Sequence, residues 1–337
     1  MICIADDVDA VLSLHNHLSL NFNGVTNSTA LSPLITHLAP LILDMSSPVR
    51  GALLDSLNDL SPNYVPRESL FPHLSTLLLY IQSAMTHIHS PVRSDSTKFL
   101  AWTIDIGGEE VVRSAWTKIL ASYAGLLGWT IKGEEKSRIQ LSRGSSILGN
   151  VVVTCRHITT LYTFLSAGIL QKRETGHRKA KVVKYATGNG IEIQHSLMEA
   201  YLLPTHSAPF AYLNLFSSPL VEGQVSSHDV PSRRTQFEGY ISSVLSYLYD
   251  LTAELVPSEM SRRGDQTQVD ELRVSVVRIL GLIKMVYRED EEGGKKKWDK
   301  EWKRCLAKMN SLMEMKARSV GSRKLFREWE LAGLDSA

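Results

Sequence analysis

Cysteine is scarce in this chain of 337 residues: Cys3, Cys155 and Cys305 stand far apart, with no Cys-x-x-Cys and no Cys/His ligand spacing. An odd, sparse count argues against a disulfide framework and a structural zinc site, and for a reducing compartment. The Asn27-Ser28-Thr29 sequon then carries no weight as a glycosylation site. Long apolar runs are also missing. The longest nearly apolar stretch, Ile119–Ile131, is interrupted by serine and glycine and falls short of the roughly 20 residues that cross a bilayer. The opening Met-Ile-Cys-Ile-Ala-Asp-Asp has neither the basic start nor the apolar centre of a secretory signal. Strong net charge is absent too: the formal charge is +2, too mild to read as nucleic-acid binding from charge alone. These absences lead us to expect a soluble intracellular protein.

Motifs that carry chemistry are lacking as well. No Gly-x4-Gly-Lys-Ser/Thr loop occurs, and Gly188-Asn189-Gly190 lacks the third glycine and preceding strand of a dinucleotide site. Gly144-Ser145-Ser146 is a loop fragment and not a nucleophile elbow. The pairs His15/His17 and His87/His89 have a two-residue spacing, which on a helix points them to different sides. We therefore expect no metal site, no cofactor and no catalytic residues, with His87 a turn histidine satisfied by a backbone carbonyl. Asp6, Asp7 and Asp9 read as a solvated helix start.

What is present is a repeat. Ser-Pro-Val-Arg occurs at Ser47–Arg50 and again at Ser90–Arg93, 43 residues on. A chain of this length contains about one identical tetrapeptide pair by chance, so position carries the weight. Each copy falls where one helical apolar stripe stops and another starts. Leu38, Leu41, Ile42 and Met45 precede the first, and Leu53, Leu54, Leu57 and Leu60 follow it. Leu77, Leu78, Ile81, Ala84, Met85 and Ile88 precede the second, and Phe99, Leu100 and Ile104 follow it. Ser47 and Ser90 suit an N-cap and Pro48 and Pro91 the next position. The valine then faces the partner helix, and Arg50 or Arg93 can reach back over the turn. Helix pairs with a period of roughly 40–47 residues are the signature of HEAT and armadillo units, which must stack to hide their apolar faces.

Along the rest of the chain, Val8–Leu20 reads as a first helix, Glu109–Leu127 as another ending at Gly128, and Leu148–Leu170 as the next. Further helices follow on the stripes of Phe237–Leu255, Leu272–Tyr287 and Trp298–Met313. Only Val151–Val153 and Val182–Val183 leave a strand open. The fold class expected is all-α, an armadillo/HEAT-like helical-repeat solenoid. Three parts are expected: repeats over 1–170, a basic and proline-bearing irregular segment over 171–235, and helices over 236–337 that continue or cap the solenoid. Residues 1–100 hold 8 acidic and 4 basic side chains, a net of −4, which leaves +6 for the remainder.

Two features are candidates for partner contact. Lys172, Arg173, Arg178, Lys179, Lys181 and Lys184 crowd into 171–184 and fit a nuclear-import or RNA-contacting patch, or equally a solvated loop. Trp298 and Trp302 fit either a hot spot for a partner protein or packing against the chain's own core.

The stretch Leu38–Trp129 resembles the fungal pre-ribosomal-RNA-processing protein family of the Rix-one complex, whose animal counterpart is the testis-expressed protein ten. The resemblance is carried by His37–Asp44 with Ser47–Arg50, by Ala84-Met85-Thr86-His87-Ile88, by Pro91–Ser96, and by Phe99-Leu100. Gly108–Val112, Leu126–Trp129, Leu203-Pro204, Pro209–Phe216 and His15–Leu20 add to it. The lysine-rich tail on which members open is not found here, so the basic segment at 171–184 is expected to substitute in nuclear targeting. The resemblance implies a non-enzymatic scaffold in the nucleolus and nucleoplasm that acts in pre-rRNA processing and large-subunit (pre-60S) maturation. Its implied partners are a proline-rich helical-repeat subunit, a WD-repeat subunit, the midasin AAA ATPase and the pre-60S particle, with a contact to rRNA. The competing reading is another intracellular helical-repeat adaptor, in nuclear transport or on chromatin.

Overall fold

Apolar residues three and four apart cannot be hidden by one helix alone, and in the computed structural model they are hidden between helices. The structure describes residues 28–63, 67–129, 150–170, 185–186, 192–193, 229–254, 266–287 and 299–317. It separates into two compact units, one of Met1–Leu170 with Ser227–Ala337 and one of Gln171–Ser226. The Val8–Leu20 helix, His15, His17, the three early aspartates and the basic segment Lys172–Lys184 lie outside the described residues.

In the first unit, α1 (Ser28–Leu38) runs into a 3-10 turn at Ala39–Leu43 and is followed by α2 (Ser47–Asn63). A single turn, α3 (Arg67–Leu70), and a second 3-10 turn at Phe71–His73 lead to α4 (Leu74–Met85) and α5 (Ser90–Gly107). Then come α6 (Glu109–Leu127), α7 (Val151–Ile169), α8 (Val230–Glu254), α9 (Gln266–Tyr287) and α10 (Asp299–Ala317). Gly108 (φ 45°) and Gly128 (φ 66°) take positive φ where α5 and α6 end, a geometry that a Cβ would oppose.

These helices form two layers. In one, α2 packs on α5, α5 on α7 and α7 on α9. In the other, the Ala39–Leu43 turn packs on α4, α4 on α6, α6 on α8 and α8 on α10. Within the pairs α4 lies against α5 and α6 against α7. The stripes read from sequence fill the space between: Leu53, Leu77, Ile81, Leu100, Ile119, Leu161, Leu245 and Ile283 are all buried. Each such side chain is worth about 1.5–3 kcal/mol when removed from water.

Aromatic rings join the helices on either side of the 171–226 segment. Trp116 of α6 stacks on Phe164 of α7 at 4.9 Å between centroids and meets Phe237 of α8 edge-on at 6.4 Å. Gly168 allows this approach, because a Cβ there would lie 2.8 Å from Trp116 Cη2. At the same place Arg233 Nε donates to Gly168 O at 2.9 Å and Arg234 Nε to Ile169 O at 3.1 Å. The last carbonyls of α7 thus find donors on α8.

Two expectations are corrected, and one reading left open is decided. Helix α8 starts at Val230 and not near Phe237; Asp229 Oδ2 accepts from Ser232 N–H at 3.4 Å. Pro231 is thus an opening residue of the helix, where its missing N–H is harmless. Val151–Val153 is the first turn of α7, capped by Asn150 Oδ1, which accepts from Val153 N–H at 3.2 Å. The second correction lies in the second unit. There, β1 (Tyr185–Ala186) and β2 (Glu192–Ile193) pair antiparallel, Tyr185 opposite Ile193 and Ala186 opposite Glu192. Two-residue strands are too short to announce themselves by alternation. The fold class remains all-α.

Candidate binding interface at the repeated turns

The two Ser-Pro-Val-Arg copies build turns with three matching hydrogen bonds at an offset of 43 residues. In the first, Asp44 Oδ1 accepts from Ser46 N–H at 2.6 Å, Arg50 N–H donates to Ser46 O at 3.2 Å, and Arg50 Nη1 donates to Asp44 O at 2.6 Å. In the second, His87 Nδ1 accepts from His89 N–H at 3.2 Å, Arg93 N–H donates to His89 O at 3.2 Å, and Arg93 Nη1 donates to His87 O at 2.5 Å. Arg93 Nη1 also reaches Ile88 O at 2.6 Å. Val49 and Val92 are buried at matching positions. Arginine is suited to this task because its planar fork of donors serves carbonyls that the turn leaves open.

The details differ from expectation in two ways. Ser47 and Ser90 are the first helical residues, and the capping carbonyls are those of Ser46 and His89. Pro48 and Pro91 therefore sit one step further into the first turn, where a missing N–H is still harmless. His87 accepts a bond from a backbone amide, where we had expected it to donate to a carbonyl. That fixes its proton on Nε2.

Arg50 does more than Arg93. It is 1% exposed, and its Nη2 and Nε donate to Asp95 Oδ2 of α5 at 2.7 and 3.1 Å. Nη2 also reaches Pro91 O at 3.2 Å, so Arg50 closes its own turn and grips the next one. Lys98 Nζ lies 2.7 Å from Asp95 Oδ1, and Arg156 Nη1 of α7 lies 3.9 Å from it and donates to Ser94 O at 3.3 Å. Burial pushes the Asp95 carboxyl up, but hydrogen bonds from Lys98 and Arg50 outweigh it and hold it below the usual carboxylate range. One carboxylate thus links the openings of α2, α5 and α7.

Behind this link, Thr97 Oγ1 and His157 Nδ1 are 2.8 Å apart, and burial, with Arg156 adding to it, lowers the imidazole to about 4. His157 is therefore neutral at physiological pH. The thiols of Cys155 and Cys305 are pushed up by burial, the latter to about 12, and neither is a poised nucleophile. Among the described residues no group of three or more His, Cys, Asp or Glu could hold a metal ion. No described helix is long and apolar enough to cross a membrane. Instead of converging acids and bases, the turns present apolar tips: Met45 is 58% exposed and Ile88, 43 residues on, is 85% exposed.

Of the other residues singled out in the sequence, Trp302 is fully buried with Cys305 and Met309 on the inner face of α10. It belongs to the chain's own core. Trp298 and Lys172, Arg173, Arg178, Lys179, Lys181 and Lys184 lie outside the described residues.

A family model described as "Rix1 complex component involved in 60S ribosome maturation" matches residues 68–165, the span from α3 to α7 that holds the second turn, Asp95 and Arg156. Over those residues the chain is similar to this family. It is similar to the pre-rRNA-processing protein IPI1 of Saccharomyces cerevisiae, with 32% identity over 208 residues, 61% of this chain and 58% of that one. It is similar also to the pre-rRNA-processing protein IPI1 of Chaetomium thermophilum, with 31% identity over 243 residues, 68% of this chain and 64% of that one. A chain in a solved structure titled "Rix1-Rea1 pre-60S particle - 60S core, body 1" shares 28% identity at a TM-score of 0.39, over 50% of this chain and 61% of that chain. Our chain thus spans about three-fifths of the length of these curated relatives.

Proposed function

We propose that this protein is a non-enzymatic scaffold subunit of the Rix1 complex that acts in pre-rRNA processing and maturation of the large ribosomal subunit. The observation that carries the reading is the match of residues 68–165 to a family described by that complex and that process. The fold fits the role. Two layers of helices, joined by turns that repeat with a 43-residue offset, suit a HEAT/armadillo-like solenoid with an outer wall for docking. In this reading the repeats occupy 1–170, the segment from 171 to the start of α8 at Val230 interrupts them, and the helices that follow continue and cap the stack.

The protein would act in the nucleolus and nucleoplasm and join a proline-rich helical-repeat subunit to a WD-repeat subunit. The assembly would work on the pre-60S particle with the midasin ATPase. Nothing like a phosphate-binding loop is found in the sequence, which supports assigning ATP hydrolysis to the partner. The basic residues of 171–184 would serve nuclear import. Purification of the tagged chain from nuclear extract tests the reading. Recovery with large-subunit precursors and a WD-repeat protein is expected; recovery with transport cargo or chromatin alone would refute it.

A further inference from the structure

The last described helix, α10, is two-faced in an unusual way. Its inner face, Trp302, Cys305, Leu306 and Met309, is buried, and the helix packs on α8. The acidic side chains in its first turn are engaged: Glu301 Oε1 accepts from Ser242 Oγ of α8 at 3.2 Å, and Asp299 Oδ2 lies 3.0 Å from Lys303 Nζ. What α10 turns outward is mostly basic. Lys300, Lys303 and Arg304 are exposed and Lys308 is half-buried, with the small residues Ala307 and Ser311 beside them. The Asp299 carboxylate, already paired with Lys303, lies at the edge of this face. A solvent-facing side of a stacked helix needs polar residues, but solubility alone would be met by mixed signs.

Arg304 adds order to the charge. Its guanidinium carbon sits 4.8 Å over the centre of the Tyr249 ring, so the head group is held against the ring and loses less freedom on binding. A flat guanidinium is a platform on which an unstacked base can lie, while lysines track the backbone. From Lys300 to Lys308 the helix rises about 12 Å, the span of a few nucleotides.

We infer that the outward face of α10, formed by Lys300, Lys303, Arg304 and Lys308, binds the phosphate backbone of RNA. This assigns an RNA contact within the role proposed above, and so rests on that reading. Lys300 and Lys308 have no carboxylate partner among the described residues, so binding requires no ion pair to be broken at either.

The test uses the full chain, a fluorescein-labelled single-stranded RNA oligonucleotide and anisotropy titrations at stepped salt. The variant K300Q/K303Q/R304Q/K308Q should melt like the parent, bind at least about tenfold more weakly, and show a log–log salt slope shallower by about 3. The charge-preserving K300R/K303R/R304K/K308R should keep the parental slope. Equal affinity and slope for parent and glutamine variant would overturn the inference. So would parental binding to polyglutamate that the variant loses and RNA does not displace, which would assign the face to an acidic protein segment. Nuclear purification separates this from the wider reading. A tagged parent that recovers no large-subunit precursor refutes the scaffold role, whereas intact recovery with an unchanged RNA titration refutes only the α10 contact.

Discussion

The turn before α2 and the turn before α5 share a motif, and their arginines have different duties. Arg50 is buried and donates across to Asp95 and Pro91 of the next pair, as well as to Asp44 of its own. Arg93 is partly exposed and serves two carbonyls of its own turn, those of His87 and Ile88. The asymmetry follows from one position. Asp95 has Ala52 as its counterpart 43 residues earlier, so the first pair offers nothing backwards and the second pair offers a carboxylate. A repeat motif thus closes its own turn by local geometry, and locking one repeat to the next requires a residue from outside the motif.

Removing Arg50 should expose this difference most. Arg50→Ala leaves Asp95 and two carbonyls without their buried donor, and should cost about 3–5 kcal/mol, read by chemical denaturation. Next comes acid. His157 is held neutral in the fold down to about 4, whereas an unfolded histidine takes up a proton near 6.5. The unfolded chain therefore binds more protons between those values, and stability falls as pH drops through that window, by about 3 kcal/mol. His157→Asn should flatten this limb. Asp95 acts lower: its depressed carboxyl contributes above its ordinary value of 3.8 and loses that contribution as pH falls further. Arg93→Ala should cost only about 1–2 kcal/mol, since the carbonyls it leaves can reach water. Met45→Asp with Ile88→Asp should change stability least, within about 0.5 kcal/mol. An unchanged recovery of partner subunits with this pair would show that the turn edge is not a docking surface.

How much of this could be read in advance depended on sequence separation. The helix pairs and the backward reach of the arginine were legible, because each depends on residues within one turn of the tetrapeptide. The cap was misplaced by one residue, since serine and proline both suit neighbouring positions of a first turn. Asp95 as the meeting point of Arg50 and Arg156 was not legible: the pairs are 45 and 61 residues apart, and which helix packs next is not written in local periodicity. The same holds for Thr97 with His157, and for Arg233 and Arg234 on the end of α7, whose partners lie 65 residues away. Trp302 had two readings that only the rotation of α10 could separate. The basic outer face of that helix was present in the sequence but hidden by neighbouring acids, of which Glu301 turns to Ser242 and Asp299 pairs with Lys303.

A double-mutant cycle on Arg50 and Asp95, measured by equilibrium denaturation of the full chain, tests the lock between successive helix pairs most directly. We expect a coupling energy of at least about 1.5 kcal/mol, with Arg93 and Asp95 additive to within about 0.5 kcal/mol. Additive losses for Arg50 and Asp95 would contradict the account.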